Sequence, residues 1–200
     1  NNGVKFEFNT TVTKELLDDA SPDFVINATG ANAVFPKAFA GDNVSTVTEI
    51  LNGSIKLENK NVAVIGSGMT GLETSELLCE MGNKVTILEM ADTIAPGAYF
   101  QQLDDALPKL KEAGTVFMPS TKLLEITADG LTAESTKNGD KIKLDVDFVV
   151  LSMGCRPDNA LYEQIKDSTK YNVINIGDSV KVGRIANAPE SALQAVMSIK

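Results

Sequence analysis

An α/β fold built on a parallel sheet is what this sequence predicts, and three observations carry the prediction. Short unbroken apolar runs, Val62 to Ile65 and the stretch from Asp147 to Met153, have the composition of strands buried on both faces. The first run passes through spaced glycines directly into a helical pattern, Gly66-Ser67-Gly68-Met69-Thr70-Gly71. Two turn dipeptides, Asp129-Gly130 and Asn138-Gly139, separate short strand-like segments and add an antiparallel β-meander.

The chain is organised around residues 61 to 90, which read as strand, glycine turn, helix, strand. Gly66 allows the tight turn, Gly68 lets a pyrophosphate approach bare backbone, and Gly71 lets the new helix lie close to the strand. Gly71, Ser75 and Leu78 repeat at helical spacing and give that helix a face for the sheet. The amides of its first turn, with Ser67, Met69 and Thr70 around the glycines, would meet phosphate charge. Gly82 and Asn83 end the helix, and a second strand, Lys84 to Glu89, closes on a carboxylate placed to bind a ribose diol. Glycine spacing alone is common; strand, turn, helix and terminal acid in sequence are what identify a Rossmann-type dinucleotide site. Glu73 reads as a favourable charge at a helix N-terminus, not a ligand. Met90, Ala91 and Asp92 follow Glu89 with no arginine for a 2′-phosphate, which predicts NADH over NADPH.

Two hundred residues with 43% hydrophobic content can bury one or two ordinary cores. A net charge of -9 with no basic cluster excludes a nucleic-acid surface and leaves small molecules or proteins as partners. Cys79 and Cys155 form no CxxC pair and histidine is absent, which excludes a zinc site and a Ser-His or Cys-His catalytic unit within the chain. Neither a metal ligand set nor a catalytic side chain is therefore expected. No apolar run approaches membrane-spanning length and the first residues carry no signal-peptide pattern, so the expected location is the cytoplasm, with no membrane partner. The chain starts without Met inside a strand-like pattern and ends in a helical one, and reads as a fragment.

In order, Val4 to Phe8 alternates apolar and polar and predicts a strand, leading into a short Leu- and Asp-rich segment. Ser21-Pro22-Asp23 is turn chemistry, and Phe24 to Ile26 is a buried strand ending at Ala28-Thr29-Gly30. That end reads as a plain strand-to-loop glycine or as small residues admitting a ligand. Residues 31 to 60 form a crossing linker with a short helix near Thr48 to Leu51. Beyond the fingerprint, Tyr99 to Ala113 is a helix that Pro108 should break or bend, closed by Gly114. The strand from Asp147 repeats the earlier DFV pattern and ends at Gly154. A further strand, Asn172 to Ile176, closes on Gly177-Asp178, and a helix from Pro189 onward presents Ala192, Leu193, Val196 and Ile199 as its apolar positions. Asp178 can hydrogen-bond a sugar hydroxyl or merely start a turn.

The ordered set DFVINATG, VAVIGSGMTGLE, VTILE, DFVVLSMGCRP and INIGD resembles the nucleotide-binding half of two-dinucleotide-binding-domain flavoprotein reductases, the pyridine nucleotide-disulfide oxidoreductase type. The ending IGDSVKVGRIANAPESALQAV is similar to the C-terminal NADH/FAD region of old-yellow-enzyme-like reductases, the 2-enoate reductase, 2,4-dienoyl-CoA reductase and trimethylamine dehydrogenase group. The resemblance implies an NAD(H) domain over 56–154, inserted in a truncated FAD domain formed by 1–55 and 155–200. It implies Gly66, Gly68 and Glu89 for NADH, Gly177 and Asp178 for FAD, and Thr29-Gly30 and Gly154 near the two crossings. It also implies FMN and an iron-sulfur cluster in a preceding domain, and hydride flow from NADH to flavin toward an enoate-type acceptor. The glycine fingerprint of the FAD domain is not in the sequence, so the fragment is expected to be inactive alone and to self-associate through its exposed sheet edge. The reading from another class is a non-catalytic NADH-sensing module.

Overall fold

The computed structural model describes residues 3–199. The chain forms two compact units, one from Ala33 to Gly154 and the other from the segments up to Asn32 and from Cys155 onward.

The discontinuous unit opens with α1 (Lys14–Ala20), capped by the Thr13 hydroxyl, which accepts the Leu16 N–H. It is followed by β1 (Phe24–Asn27) and β2 (Ala31–Ala33). The contiguous unit then runs β3 (Val44–Thr46), α2 (Val47–Leu51), β4 (Asn61–Ile65), α3 (Met69–Glu80), β5 (Lys84–Leu88), α4 (Phe100–Glu112), β6 (Val116–Met118), β7 (Thr121–Thr127), β8 (Gly130–Ser135), β9 (Lys141–Leu144) and β10 (Phe148–Leu151). The chain returns through β11 (Cys155–Pro157), α5 (Ala160–Ile165), β12 (Asn172–Asn175), a 3₁₀ turn Gly177–Ser179 and α6 (Asn187–Ser198).

In the contiguous unit, five parallel strands order as β3-β10-β4-β5-β6. Successive side chains of a strand point to opposite faces, so a strand covered on both must be apolar throughout. Val62, Val64, Val85, Ile87 and Val150 pack with Leu72 and Leu78 of α3 and Ala106 and Leu110 of α4. Ala63, Ile65, Leu88, Val149 and Leu151 face the other way, onto Leu123, Leu131 and Ala133 of the antiparallel meander β7-β8-β9. The parallel sheet and the meander expected from the sequence are both present. Two strands of three residues, β3 and β6, were not expected and extend the sheet on either side. Because β3 pairs with β10 and Ile50 of α2 joins the core, the compact unit begins at Ala33 rather than at residue 56.

Both long helices of this unit end as their glycines require. Gly82 (φ 80°) and Gly114 (φ 79°) take the left-handed conformation. Asn83 N–H then reaches Leu78 O at 3.1 Å, and Thr115 N–H reaches Leu110 O at 2.9 Å. Pro108 does not break α4. The carbonyl that it deprives of a donor belongs to Asp104, which is exposed like Pro108 itself, so water can serve there.

The other unit has a thinner sheet. Among the described residues β1 pairs only with β12, in parallel, and Ile26 stays 39% exposed, so the strand forms as expected but is not buried. Its buried residues include Ile165, Tyr171 and Ala195 together with polar Asn27 and Ser179. Asn27 Nδ2 donates to Asn175 Oδ1 at 2.8 Å, crossing the strand pair at its C-terminal end. Asp18 of α1 accepts from Lys14 Nζ at 2.6 Å and from Tyr171 Oη at 3.1 Å. Two expectations fail here. Val4 to Phe8 is not a strand: it alternates correctly, but no partner strand lies beside it among the described residues, and Val4, Phe6 and Phe8 are exposed. On α6, Ala195 is the buried position, while Leu193 and Val196 are exposed.

Candidate functional site

The glycine turn lies at the C-terminal end of the sheet, where β4 hands over to α3. Three glycines there answer to three constraints. Gly66 sits at φ 103°, and a Cβ on it would lie 2.2 Å from Ser152 O of the neighbouring strand end. Gly71 lies in the first turn of α3, where a Cβ would meet Gly66 O at 2.3 Å and Ser152 Oγ at 2.9 Å. Both are demanded by the fold. Gly68 is not: its φ is -56°, and an added Cβ would meet nothing within 4 Å. The fold would accept a side chain there, and glycine instead leaves bare backbone at the N-terminus of a 12-residue helix that has no side-chain cap. Unpaired first-turn amides and the positive end of the helix dipole suit an anion.

A cavity of 390 Å³ opens against this backbone, within the size range of small-molecule sites. Gly66, Gly68, Glu89 and Met90 line it. Met69 and Thr70 open α3 without lining it, and Gly154, at φ 82°, stands outside it with its carbonyl accepting Val34 N–H at 2.9 Å. The sequence reading missed Ser152 and Met153 at the end of β10, and Thr121, Lys122 and Leu123 at the start of β7. Lys122 lines the same cavity as Glu89 from 33 residues downstream, on a strand that the local motif does not indicate.

Glu89 is held by three donors. Its Oε2 accepts Ser67 N–H at 2.9 Å and Ser67 Oγ–H at 2.7 Å, and its Oε1 accepts Ala91 N–H at 2.9 Å. Burial would push its pKa up, but the hydrogen bonds from Ala91 and Ser67 outweigh that and hold it below the ordinary carboxylate value. The group is therefore anionic at neutral pH. Ser67 itself is fully buried. Its side chain cannot touch a cofactor, which corrects its place among the expected contact residues.

In the discontinuous unit, Gly30, Gly177 and Asp178 line one cavity of 570 Å³ with Ala28 and Arg184. Asp178 Oδ1 accepts Gly183 N–H at 3.0 Å, which fixes the loop after the 3₁₀ turn. Thr29 does not line this cavity; its hydroxyl accepts from Asn27 Nδ2 at 3.0 Å and donates to Asp158 O. Among the described residues no group of acidic, cysteine or histidine side chains could hold a metal ion. None of the described helices is long and apolar enough to cross a membrane.

A glycine turn, an uncapped helix start, a strand-end acid and an adjoining cavity define the chain as a dinucleotide-binding α/β protein. Residues 1–185 match the family model of pyridine nucleotide-disulphide oxidoreductases, and the chain belongs to that family, which joins NAD(H) to FAD. It is 31% identical over 98% of its length to an NADH oxidase of Thermoanaerobacter brockii, and 33% identical over 88% to a bilirubin reductase of Mediterraneibacter gnavus. It covers 31% and 27% of those proteins, so the chain spans about a third of the length of the relatives it matches. Among solved structures, a 2-naphthoyl-CoA reductase complex superposes with a TM-score of 0.89 at 25% identity, covering 99% of this chain and 30% of that one. The chain is thus the nucleotide-binding type of region found in flavin-dependent NADH oxidoreductases.

Proposed function

We propose that the unit from Ala33 to Gly154 binds NADH and that the discontinuous unit contributes to an FAD site, the two serving hydride transfer in a larger reductase. The observation that supports the first half is Gly68, a glycine that the fold does not need, at the bare start of α3 and on the wall of the cavity. The pyrophosphate would take the amides from Gly68 to Gly71, and a sugar hydroxyl of the adenosine ribose would take the free lone pair of Glu89. Gly30, Gly177 and Asp178 would hold the ribityl side of FAD, since they share one cavity. When bound, the nicotinamide supplies hydride and the flavin accepts it. This chain's residues would bind and orient the two rings; no side chain here is needed as an acid or base. In the parent protein, FMN, an iron-sulfur cluster and an enoate-type acceptor would stand downstream, as the resemblance to 2-enoate reductases suggests, and the setting would be cytoplasmic.

The test is a fluorescence titration of the chain with NADH beside Gly68→Val. The substitution should weaken NADH binding tenfold or more and cost the fold only about 1 kcal/mol, the usual loss of a favoured N-cap residue, because its Cβ meets nothing within 4 Å and the side chain fills the phosphate position. Unchanged affinity would overturn the assignment. A chain that binds NADH but forms no part of any flavin site in the intact protein would instead be a sensing module.

A further inference from the structure

We infer that the Ser67 hydroxyl is a positioning group for the cofactor, tying the glycine turn, Glu89 and the loop after β5 into one unit; this rests on the proposal that the cavity takes NADH. Ser67 is fully buried, and its hydroxyl has two partners. It donates to Glu89 Oε2 at 2.7 Å and accepts Ala95 N–H at 2.7 Å. Ala95 is itself buried and left-handed, at φ 52°, a conformation that a non-glycine residue adopts only when its surroundings impose it. In that conformation the buried Ala95 amide has the Ser67 hydroxyl as its acceptor. Ala98 N–H, bonded to Ala95 O at 3.1 Å, carries the order onward toward α4.

The donor count on Glu89 gives this arrangement its functional meaning. A carboxylate offers about four acceptor sites, two on each oxygen. Oε2 is filled by the two donors of Ser67, and Oε1 accepts Ala91 N–H, with the Met90 amide also drawing on the carboxylate. The acceptor capacity left for a ribose hydroxyl is therefore on Oε1. Its direction is set by Ser67, because rotation of the carboxylate would break both bonds to Oε2. Without the hydroxyl, the Ala95 amide is buried unpaired and Glu89 keeps one donor on each oxygen, so both the loop and the acceptor lose their fixed orientation. Ser67 therefore acts on the cofactor through Glu89 without touching it.

The experiment measures binding of NADH and of ADP-ribose to the wild-type chain, Ser67→Ala, Glu89→Gln and the double variant, with backbone amide exchange by NMR. Ser67→Ala should weaken NADH and ADP-ribose by the same factor, about threefold to tenfold, since both carry the adenosine ribose. Faster exchange should be confined to residues 91–98. Glu89→Gln must set an amide N–H against either Ser67 or Ala91, so it should show the same pattern even where Ser67→Ala folds poorly. The double variant should bind no more weakly than Glu89→Gln alone, because the two groups act as one. Wild-type affinity for ADP-ribose in Ser67→Ala, additive losses in the double variant, or faster exchange spread through β4 and β5 would each overturn the positioning role. A wild-type chain that binds neither ligand would remove the dinucleotide reading itself, and this inference with it.

Discussion

The same three residues, Asp-Phe-Val, open a strand in each unit, at 23–25 and at 147–149, and the two strands meet different fates. β10 lies between β3 and β4, with helices on one face and the meander on the other, and Val149 and Val150 are completely buried. Among the described residues β1 has one neighbour, and Ile26 remains 39% exposed. Apolar β-branched residues determine that a strand forms. How deeply it is buried depends on how many strands and layers surround it, which is a property of the whole sheet. The contiguous unit can therefore hold a cofactor on a rigid wall, while the discontinuous unit presents its Gly30 and Asp178 from a sheet two strands wide.

Glycine substitutions sharpen this contrast most. In the contiguous unit the backbone is packed against itself, and Gly71→Ala would drive a methyl to 2.3 Å from Gly66 O. Backbone cannot yield as a flexible side chain can, so a loss of about 2 to 3 kcal/mol is expected, comparable to severe overpacking of a core. In the discontinuous unit Gly177 is left-handed at φ 65° with nothing within 4 Å of an added Cβ, so Gly177→Ala should cost only about 1 kcal/mol, the left-handed penalty alone. Denaturant melts of the two variants check the order. Equal losses would mean that the close approach at Gly71 is relieved by movement of α3, and that the contiguous unit is no more rigid than the other.

The sequence made much of this site legible because its signals are local. Gly66, Gly68 and Gly71 fall within six residues, and Glu89 follows at the strand length a βαβ unit allows. β3 and β6 were hidden by their length, since three residues cannot show a period. Lys122 and Leu123 were hidden by topology: they reach the cavity from the meander, whose place over the sheet no local pattern reveals. The place of Ser67 between two glycines predicts a contact, but its hydroxyl is turned inward to Glu89 and Ala95, which no local pattern reveals. Val4 to Phe8 failed for the opposite reason, because alternation describes one strand and says nothing of a partner.

A smaller effect concerns the choice between NADH and NADPH. Glu89 is held anionic by its donors, and Asp92 follows closely, so a 2′-phosphate should be repelled and NADPH should bind about tenfold more weakly than NADH. Lys122 is the basic residue that lines the same cavity. Lys122→Ala should widen the gap by a few-fold, as expected for loss of one solvent-exposed charge. Parallel titrations of both cofactors decide this, and NADPH binding as tightly as NADH would mean that Lys122 outweighs Glu89. The folded pKa of Glu89 is depressed, so its contribution to stability is present above the ordinary carboxylate value and is lost as pH falls through the folded one. Glu89→Gln should remove that part of the acid limb of the melt.

The weakest expected effect is self-association, and it belongs to the discontinuous unit. One edge of β1 is paired with β12, and no strand lies along the other among the described residues. The same unit carries a strand-like segment without a partner, in which Val4, Phe6 and Phe8 are 65%, 74% and 81% exposed and the rings of Phe6 and Phe8 stack at 6.1 Å. An open edge and an unpaired alternating segment in one chain are complementary, and a second copy can satisfy both by exchanging segments across a two-fold axis. The gain is a few backbone hydrogen bonds and three apolar side chains per copy, set against the entropy of ordering both segments and of association. A weak dimer that forms only at high concentration is what that balance allows. Sedimentation across a concentration series should show it, and Phe6→Lys with Phe8→Lys should abolish it without moving the melt of the contiguous unit. A strict monomer whose β1 amides are nonetheless fully protected from exchange would mean that Val4 to Phe8 fills the edge of its own sheet.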